Sequence, residues 1–263
     1  MSIAISAPHA GVATSNLVVA IDGPVALFLD VDGTLLDFAD RPSAVATPAG
    51  LVPTLEKAER KLGGALALVS GRRIDELDHL FEPLRLRASG VHGAQLRFDP
   101  DEKPTAAPGA VELPDSLWAA VTDVLAEFPG AFAENKRYSI AVHYRLAPEA
   151  KAPLRERIMR LIEAAPWTAV QVMHAHRAFE LKAPGIDKGT AIAAFLATPA
   201  FRGRTPIFVG DDVTDESGFA VVAGHGGYAY SVGWRRPGAM AAFSSPSAVR
   251  DWLAAFADRG DGA

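Results

Sequence analysis

An apolar run, Val25 to Leu29, stops abruptly at two carboxylates, a glycine and a threonine, Asp30-Val31-Asp32-Gly33-Thr34. Side chains two apart on an extended segment project to the same side. Asp30 and Asp32 are therefore expected on one side, unless the turn at Gly33 has begun to rotate the second. Two adjacent anions at the mouth of an apolar strand repel each other and resist desolvation. A hard divalent cation with oxygen ligands is the natural counter-charge. Two more apolar runs end in polar clusters. Ala65 to Val69 leads into Ser70-Gly71-Arg72, and Ile207 to Val209 leads into Gly210-Asp211-Asp212-Val213-Thr214-Asp215-Glu216. A cation is available in Asp187-Lys188-Gly189-Thr190, ahead of a helix predicted around Ile192 to Leu196.

Hydropathy pattern indicates the scaffold that carries these groups. Continuous apolar strands suit a parallel sheet covered on both faces, where ligands bind outside the carboxyl ends of the strands. The clusters are thus expected at one edge of a doubly wound α/β sheet. Thr47 is expected to cap a helix with Pro48 in its first turn and Leu51, Leu55, Ala58 and Leu62 on its apolar face, ended by Gly63-Gly64. Ile74, Leu77 and Phe81 mark a short helix after the Ser-Gly-Arg turn. From Asp99 to Pro108 the texture becomes that of a linker. Beyond it, Asp115 is expected to cap a helix, and Tyr138 to Tyr144 alternates as a strand with one covered face. A helix on Leu154, Ile158, Leu161 and Ile162 comes next, then strand-like runs Ala169 to Met173 and Ala178 to Leu181. The division this predicts is a loose tail over 1–20, a catalytic core over 21–103 and 184–263, and an inserted α+β cap over 104–183.

Composition sets the class. The chain has 263 residues, 49% hydrophobic and 22% charged, with a net charge of −5. That balance argues against nucleic acid or an anionic membrane as partner. With no cysteine, a thiol nucleophile and a Cys-ligated metal are excluded. No run has the length of a membrane span and the N-terminus lacks a basic n-region, so the cytoplasm is the expected location.

Taken singly, each cluster has a plainer explanation: Asx turns for the first, a helix entry for Ser-Gly-Arg, a solvated cap for Lys188, an acidic loop for the last. Their joint order is far more specific. In that order they resemble the four motifs of the haloacid-dehalogenase-like (HAD) phosphatase superfamily: Asp30 to Thr34, Ser70, Lys188, and Asp211-Asp212 with Asp215. The resemblance implies phosphoryl transfer through an aspartyl-phosphate on Asp30, and the chemistry agrees, since a carboxylate can serve as nucleophile. It implies Asp32 as general acid and base, and Mg2+ held by the Asp30 carboxylate, the Asp32 carbonyl and the Asp211 carboxylate. Ser70 and Lys188 would hold phosphate oxygens, Thr34 and backbone amides at Gly33 would cradle them, and Asp212 and Asp215 would orient Lys188 or metal-bound water. Arg72 and His92 are counted with the substrate-binding residues.

The rest of the chain beyond the tail is similar to the trehalose-6-phosphate phosphatase family. The carrying segments are Glu134-Asn135-Lys136-x-x-Ser139 with His143-Tyr144-Arg145, and Phe179-Glu180-Leu181-Lys182-Ala183-Pro184 leading to Asp187-Lys188-Gly189. The resemblance implies that Glu134, Lys136 and Glu180 hold sugar hydroxyls, as carboxylates accept from hydroxyls and an ammonium donates to oxygens. It implies a sugar phosphate as the small-molecule partner and a trehalose-6-phosphate synthase upstream, without implying direct contact with that enzyme. Two departures stand out: Val91 precedes His92-Gly93 where the family commonly has an acid, and Asn135 stands where it often has Asp. Without the resemblance, Glu134 and Lys136 would read as an exposed charged turn.

His174 and His176, two apart, lack a third ligand and read as a surface feature. Trp118, Trp167 and Trp252 read as packing residues, and Trp234 as either packing or a cap contact. Two other functions fit part of the pattern. One is a phosphatase of another sugar or polyol phosphate; the other is a phospho-accepting receiver domain, against which Asp32 and the inserted segment both speak.

Overall fold

Strand β1, Val25–Leu29, is buried along its whole length and lies at the centre of an eight-stranded sheet. The computed structural model describes residues 23–39, 41, 44–164, 167, 169–175 and 177–258. The expected N-terminal tail and His176 fall outside the described residues. The remaining strands of this sheet are β2 (Leu66–Val69), β3 (Arg87–Gly90), β4 (Gln95–Arg97), β5 (Thr105–Ala106), β10 (Thr205–Gly210), β11 (Tyr228–Val232) and β12 (Ala241–Phe243). Their order is β12-β11-β10-β1-β2-β3-β4-β5. The pairs from β12 through β3 are parallel, and β4 runs antiparallel to β3. Strand order thus departs in both directions from β1, which makes its carboxyl end the switch point where an open sheet binds ligands.

Helices cover both faces, as the unbroken apolar strands require. Helix α1 (Leu51–Lys61) packs with α7 (Pro246–Asp258), and α5 (Lys188–Leu196) packs with α6 (Glu216–Gly224). Under β1, Phe28 stacks on Phe201 at 5.2 Å and meets Phe195 at 6.1 Å. Truncating a buried phenylalanine of this kind to alanine costs about 3–5 kcal/mol.

By contact density the chain divides into two units. The first comprises residues up to Thr105 together with those from Asp187 onward; the second is Ala106–Ile186. The second unit has its own antiparallel sheet, ordered β6-β7-β9-β8, from β6 (Phe132–Asn135), β7 (Ser139–His143), β8 (Gln171–Ala175) and β9 (Ala178–Lys182). Leu117 and Val121 of α3 (Asp115–Leu125) and Leu154 and Ile158 of α4 (Lys151–Ala164) form a core with Ile140, Val142, Phe179 and Leu181. Among the described residues no helix is long and apolar enough to cross a membrane.

Three local expectations are corrected. Helix α1 starts at Leu51 behind Gly50, and the Thr47 hydroxyl donates to Leu80 O at 2.6 Å instead of capping it. Helix α3 begins behind Pro114, so Asp115 occupies its first turn, where a carboxylate meets the positive end of the helix dipole without a capping bond. Strand β7 is covered on both faces over Ser139 to Val142. Its second row, Ser139 and Ala141, is buried as well and stands in register with the buried Lys182 and Glu180 of β9. The short helix after Ser70 is present as α2, Ile74–Leu80.

Candidate active site

In the first unit, Asp30 sits just beyond β1 and is buried, its backbone N–H donating to Val209 O at 2.9 Å. The chain then turns sharply. The N–H groups of Leu35 and Leu36 both donate to Val31 O at 2.9 Å, and Gly33 adopts φ +80°. Its own N–H donates to Leu36 O at 2.7 Å. This corrects the expectation that the Gly33 amide cradles phosphate. Glycine is required there for room, since a Cβ would lie 2.3 Å from Asp211 Oδ2.

Lys188 reaches Asp30 because its helix entry is fixed. Asp187 caps α5, accepting from Thr190 N at 2.9 Å, while Thr190 Oγ1 accepts from Asp187 N at 3.1 Å. The buried ammonium donates to Asp30 Oδ1 at 2.7 Å and to Asp215 Oδ1 at 2.6 Å. The other oxygen of Asp215 accepts from Asp212 N at 2.8 Å, and Thr34 Oγ1 lies 3.4 Å from Asp30 Oδ2. Burial works against the Lys188 charge, but Asp215 and Asp30 outweigh it and raise its pKa above the usual lysine range.

One ammonium does not balance the acids around it. Asp30, Asp211 and Asp215 offer carboxylate oxygens within 4.8 Å of one another. Burial, and then the neighbouring acids, push Asp211 up to about 9. Burial pushes Asp30 up to about 7, with Asp215 adding and Lys188 opposing, and Asp215 is raised chiefly by burial. Three carboxylates that each resist ionisation beside a single cation are a donor set suited to a hard divalent ion.

Asp32 is not in this group. Its two oxygens accept from Arg72, from Nε at 2.7 Å and from Nη2 at 2.6 Å, a fork-to-fork pair. Arg72 thus engages the second carboxylate, while Lys188 engages the first. Ser70, beyond β2, is buried and its hydroxyl accepts from Arg72 N at 3.1 Å. The His92 backbone N–H donates to Ser70 O at 3.0 Å, and the His92 ring lies against Gly71, where a Cβ would come within 2.5 Å of Nε2. Val91 and His92 hold successive left-handed conformations, φ 49° and 52°. For a β-branched valine that strain is about 1–3 kcal/mol.

The expectation for Asp212 is also refined, since it does not touch Lys188 through its carboxylate. That group lies 3.6 Å from Arg236 Nη2, while Arg236 Nη1 lies 3.7 Å from Glu216. Arg236 Nε also donates to Asp211 O. Sequence reasoning passed over Arg236. The available signal was a basic pair directly after β11, whose carboxyl end is parallel to that of β10.

The second unit carries its own polar row. Glu134, Ala141 and Glu180 are in direct register across β6, β7 and β9. The Ser139 hydroxyl donates to Glu180 Oε1, Lys136 Nζ lies 3.9 Å from the same oxygen, and His143 Nε2 meets Glu134 Oε2 at 3.0 Å. Asn135 Oδ1 accepts from Arg137 N at 2.8 Å and closes the turn that carries Lys136, a role either an amide or a carboxylate oxygen fills. Trp118 and Trp167 pack on the core of this unit and Trp252 lies against Phe243, whereas Trp234 is exposed above Arg236.

Comparison with known proteins agrees with this geometry. The trehalose-phosphatase family model matches residues 28–236. A probable trehalose-phosphate phosphatase of Sinorhizobium fredii is 43% identical over 236 residues, covering 88% of this chain and 87% of that protein. The trehalose-6-phosphate phosphatase of Escherichia coli is 39% identical over 232 residues, covering 87% and 85%. Among solved structures, the C-terminal domain of Candida albicans trehalose-6-phosphate phosphatase superposes with a TM-score of 0.77 at 19% identity, over 89% of this chain and 91% of that one. A Bacteroides thetaiotaomicron phosphatase of the HAD superfamily gives 0.59 at 16% identity, over 88% and 94%. Both show the shared fold. The receiver-domain alternative falls away: this chain belongs to the trehalose-phosphatase family and is a phosphatase built on the HAD fold.

Proposed function

We propose that this phosphatase hydrolyses trehalose 6-phosphate to trehalose and phosphate, with Asp30 as nucleophile. The observation that carries the reading is the buried Asp30 carboxylate held at 2.7 Å by Lys188 beside Asp211 and Asp215. An Asp30 oxygen attacks phosphorus, the bond from phosphorus to the sugar oxygen breaks, and Asp32 gives that oxygen its proton. Water then attacks the aspartyl-phosphate, Asp32 takes a proton from it, and Asp30 is released with inorganic phosphate. Lys188 and Ser70 stabilise charge on the phosphoryl oxygens. Thr34 orients Asp30, and Arg72 holds the Asp32 carboxylate in place.

Asp30, Asp211 and the Asp32 carbonyl would hold Mg2+, with Asp215 and Asp212 supporting that cluster. The ion supplies Lewis-acid stabilisation of the charge that develops on the transferring group. Glu134, Lys136 and Glu180 would receive sugar hydroxyls, and His92 would border the phosphate pocket beside Ser70.

The test is phosphate release from trehalose 6-phosphate beside glucose 6-phosphate, with Mg2+ and with a chelator. The reading predicts a large kcat/KM preference for the disaccharide, loss of turnover on chelation, and loss in Asp30→Asn. Equal kcat/KM for the two sugars would reject the substrate, and near wild-type turnover in Asp30→Asn would reject the nucleophile.

A further inference from the structure

We infer that His143 is a positioning residue of the sugar site, acting through Glu134. The inference rests on the proposal that Glu134 binds a sugar hydroxyl. A glutamate on a short strand has three rotatable side-chain bonds, and ordering it on ligand arrival costs affinity. Here that freedom is already removed. His143 lies directly opposite Phe132 on the neighbouring strand, and their rings stack at 4.6 Å with 18° between planes. The stack fixes the imidazole plane, which aims Nε2 at Glu134 Oε2, 3.0 Å away.

The hydrogen bond holds one oxygen of a group whose two oxygens can between them accept about four hydrogen bonds. Glu180 is held in the same manner from the same strand, by the Ser139 hydroxyl. Ala141 stands in register between the two acids. The middle strand thus supplies a donor to each flanking acid and a small residue between them. A binding pair is kept apart by a fixed gap and pre-oriented, which is how rigid recognition of a polyol gains affinity.

The test is a double-mutant cycle read as the ratio of kcat/KM on trehalose 6-phosphate to kcat/KM on a small aryl phosphate, which has no sugar to hold. His143→Ala should lower that ratio about tenfold, the size expected for one orienting hydrogen bond, mainly through KM. His143→Gln can place an amide N–H near the position of Nε2, so it should recover most of the loss. A merely structural role would lower both substrates together and would not be rescued by Gln. Glu134→Ala with His143→Ala should be no worse than Glu134→Ala alone. If the two losses multiply, or if His143→Ala leaves the ratio unchanged while Glu134→Ala lowers it, the inference is wrong. If Glu134→Ala itself leaves the ratio unchanged, the sugar-binding reading of Glu134 fails first.

Discussion

Lys188 and Asp215 form a buried ion pair at 2.6 Å, and the same ammonium binds Asp30 at 2.7 Å. One cation therefore fixes Asp30, the proposed nucleophile, relative to the acid loop beyond β10. Replacing it with methionine leaves Asp30, Asp211 and Asp215 together without a counter-charge. Lys188→Met should lower kcat by about a hundred- to a thousandfold, the scale of losing one preorganised electrostatic donor. Breaking a buried pair costs about 3–5 kcal/mol. That cost should shrink at pH 5, where the freed acids can take protons. Thermal midpoints at pH 5 and pH 8 measure it; equal losses at both would contradict the charge argument.

The raised acids set the sign of the pH dependence. Asp30 rises from 3.8 to about 7 and Asp211 from 3.8 to about 9. A carboxyl that binds its proton more tightly when folded stabilises the fold below its unfolded value, and the contribution is lost as pH climbs through the folded one. Metal-free protein should accordingly lose stability between about pH 4 and pH 9 through these groups, and Mg2+, which competes with those protons, should restore more of it as pH rises. Asp211→Asn cannot ionise. Its metal-free midpoint at pH 8 should exceed wild type, by about 2–4 °C for each kcal/mol recovered, and should no longer respond to Mg2+. A variant melting below wild type would overturn this account.

Arg72 grips Asp32 through both oxygens, at 2.7 and 2.6 Å. Asp32→Asn should reduce kcat by about a hundred- to ten-thousandfold, as expected for a lost general acid. Arg72→Met should reduce it less, since Asp32 remains but is no longer oriented. Arg72→Lys should not restore the loss, because an ammonium cannot reproduce the two-pronged geometry. Steady-state kinetics on the three variants decide the point, and full activity in Arg72→Lys would reduce Arg72 to a point charge.

Much of the site could be read from the amino acids alone, for a physical reason. Asp30, Ser70 and Asp211 each come directly after an unbroken apolar strand, and parallel strands bring the residues at their carboxyl ends to one edge. Lys188 was legible from its place at a helix start. Side-chain direction was not. That Arg72 takes the Asp32 carboxylate and Lys188 that of Asp30 depends on which elements pack beside them, and the Gly33 amide is used locally by Leu36. Arg236 was missed because its bond to the Asp211 carbonyl needs β11 beside β10, a pairing no local pattern encodes. Helix starts slipped for a related cause. Thr47 found a partner in Leu80, far along the chain, and tertiary bonding outweighed its capping preference.

The central strand pairs Val25 with Thr205, so the innermost ladder of the sheet joins chain segments made at opposite times during synthesis. Closing so long a loop is an entropic barrier met before any contact rewards it. A ribosome-bound chain that has not yet emitted Lys188 and Asp211 holds Asp30 without either neighbour. Assembly of the acidic cluster around Lys188 is consequently a late event of folding, and Ala106–Ile186, contiguous and locally wired, is free to form ahead of it.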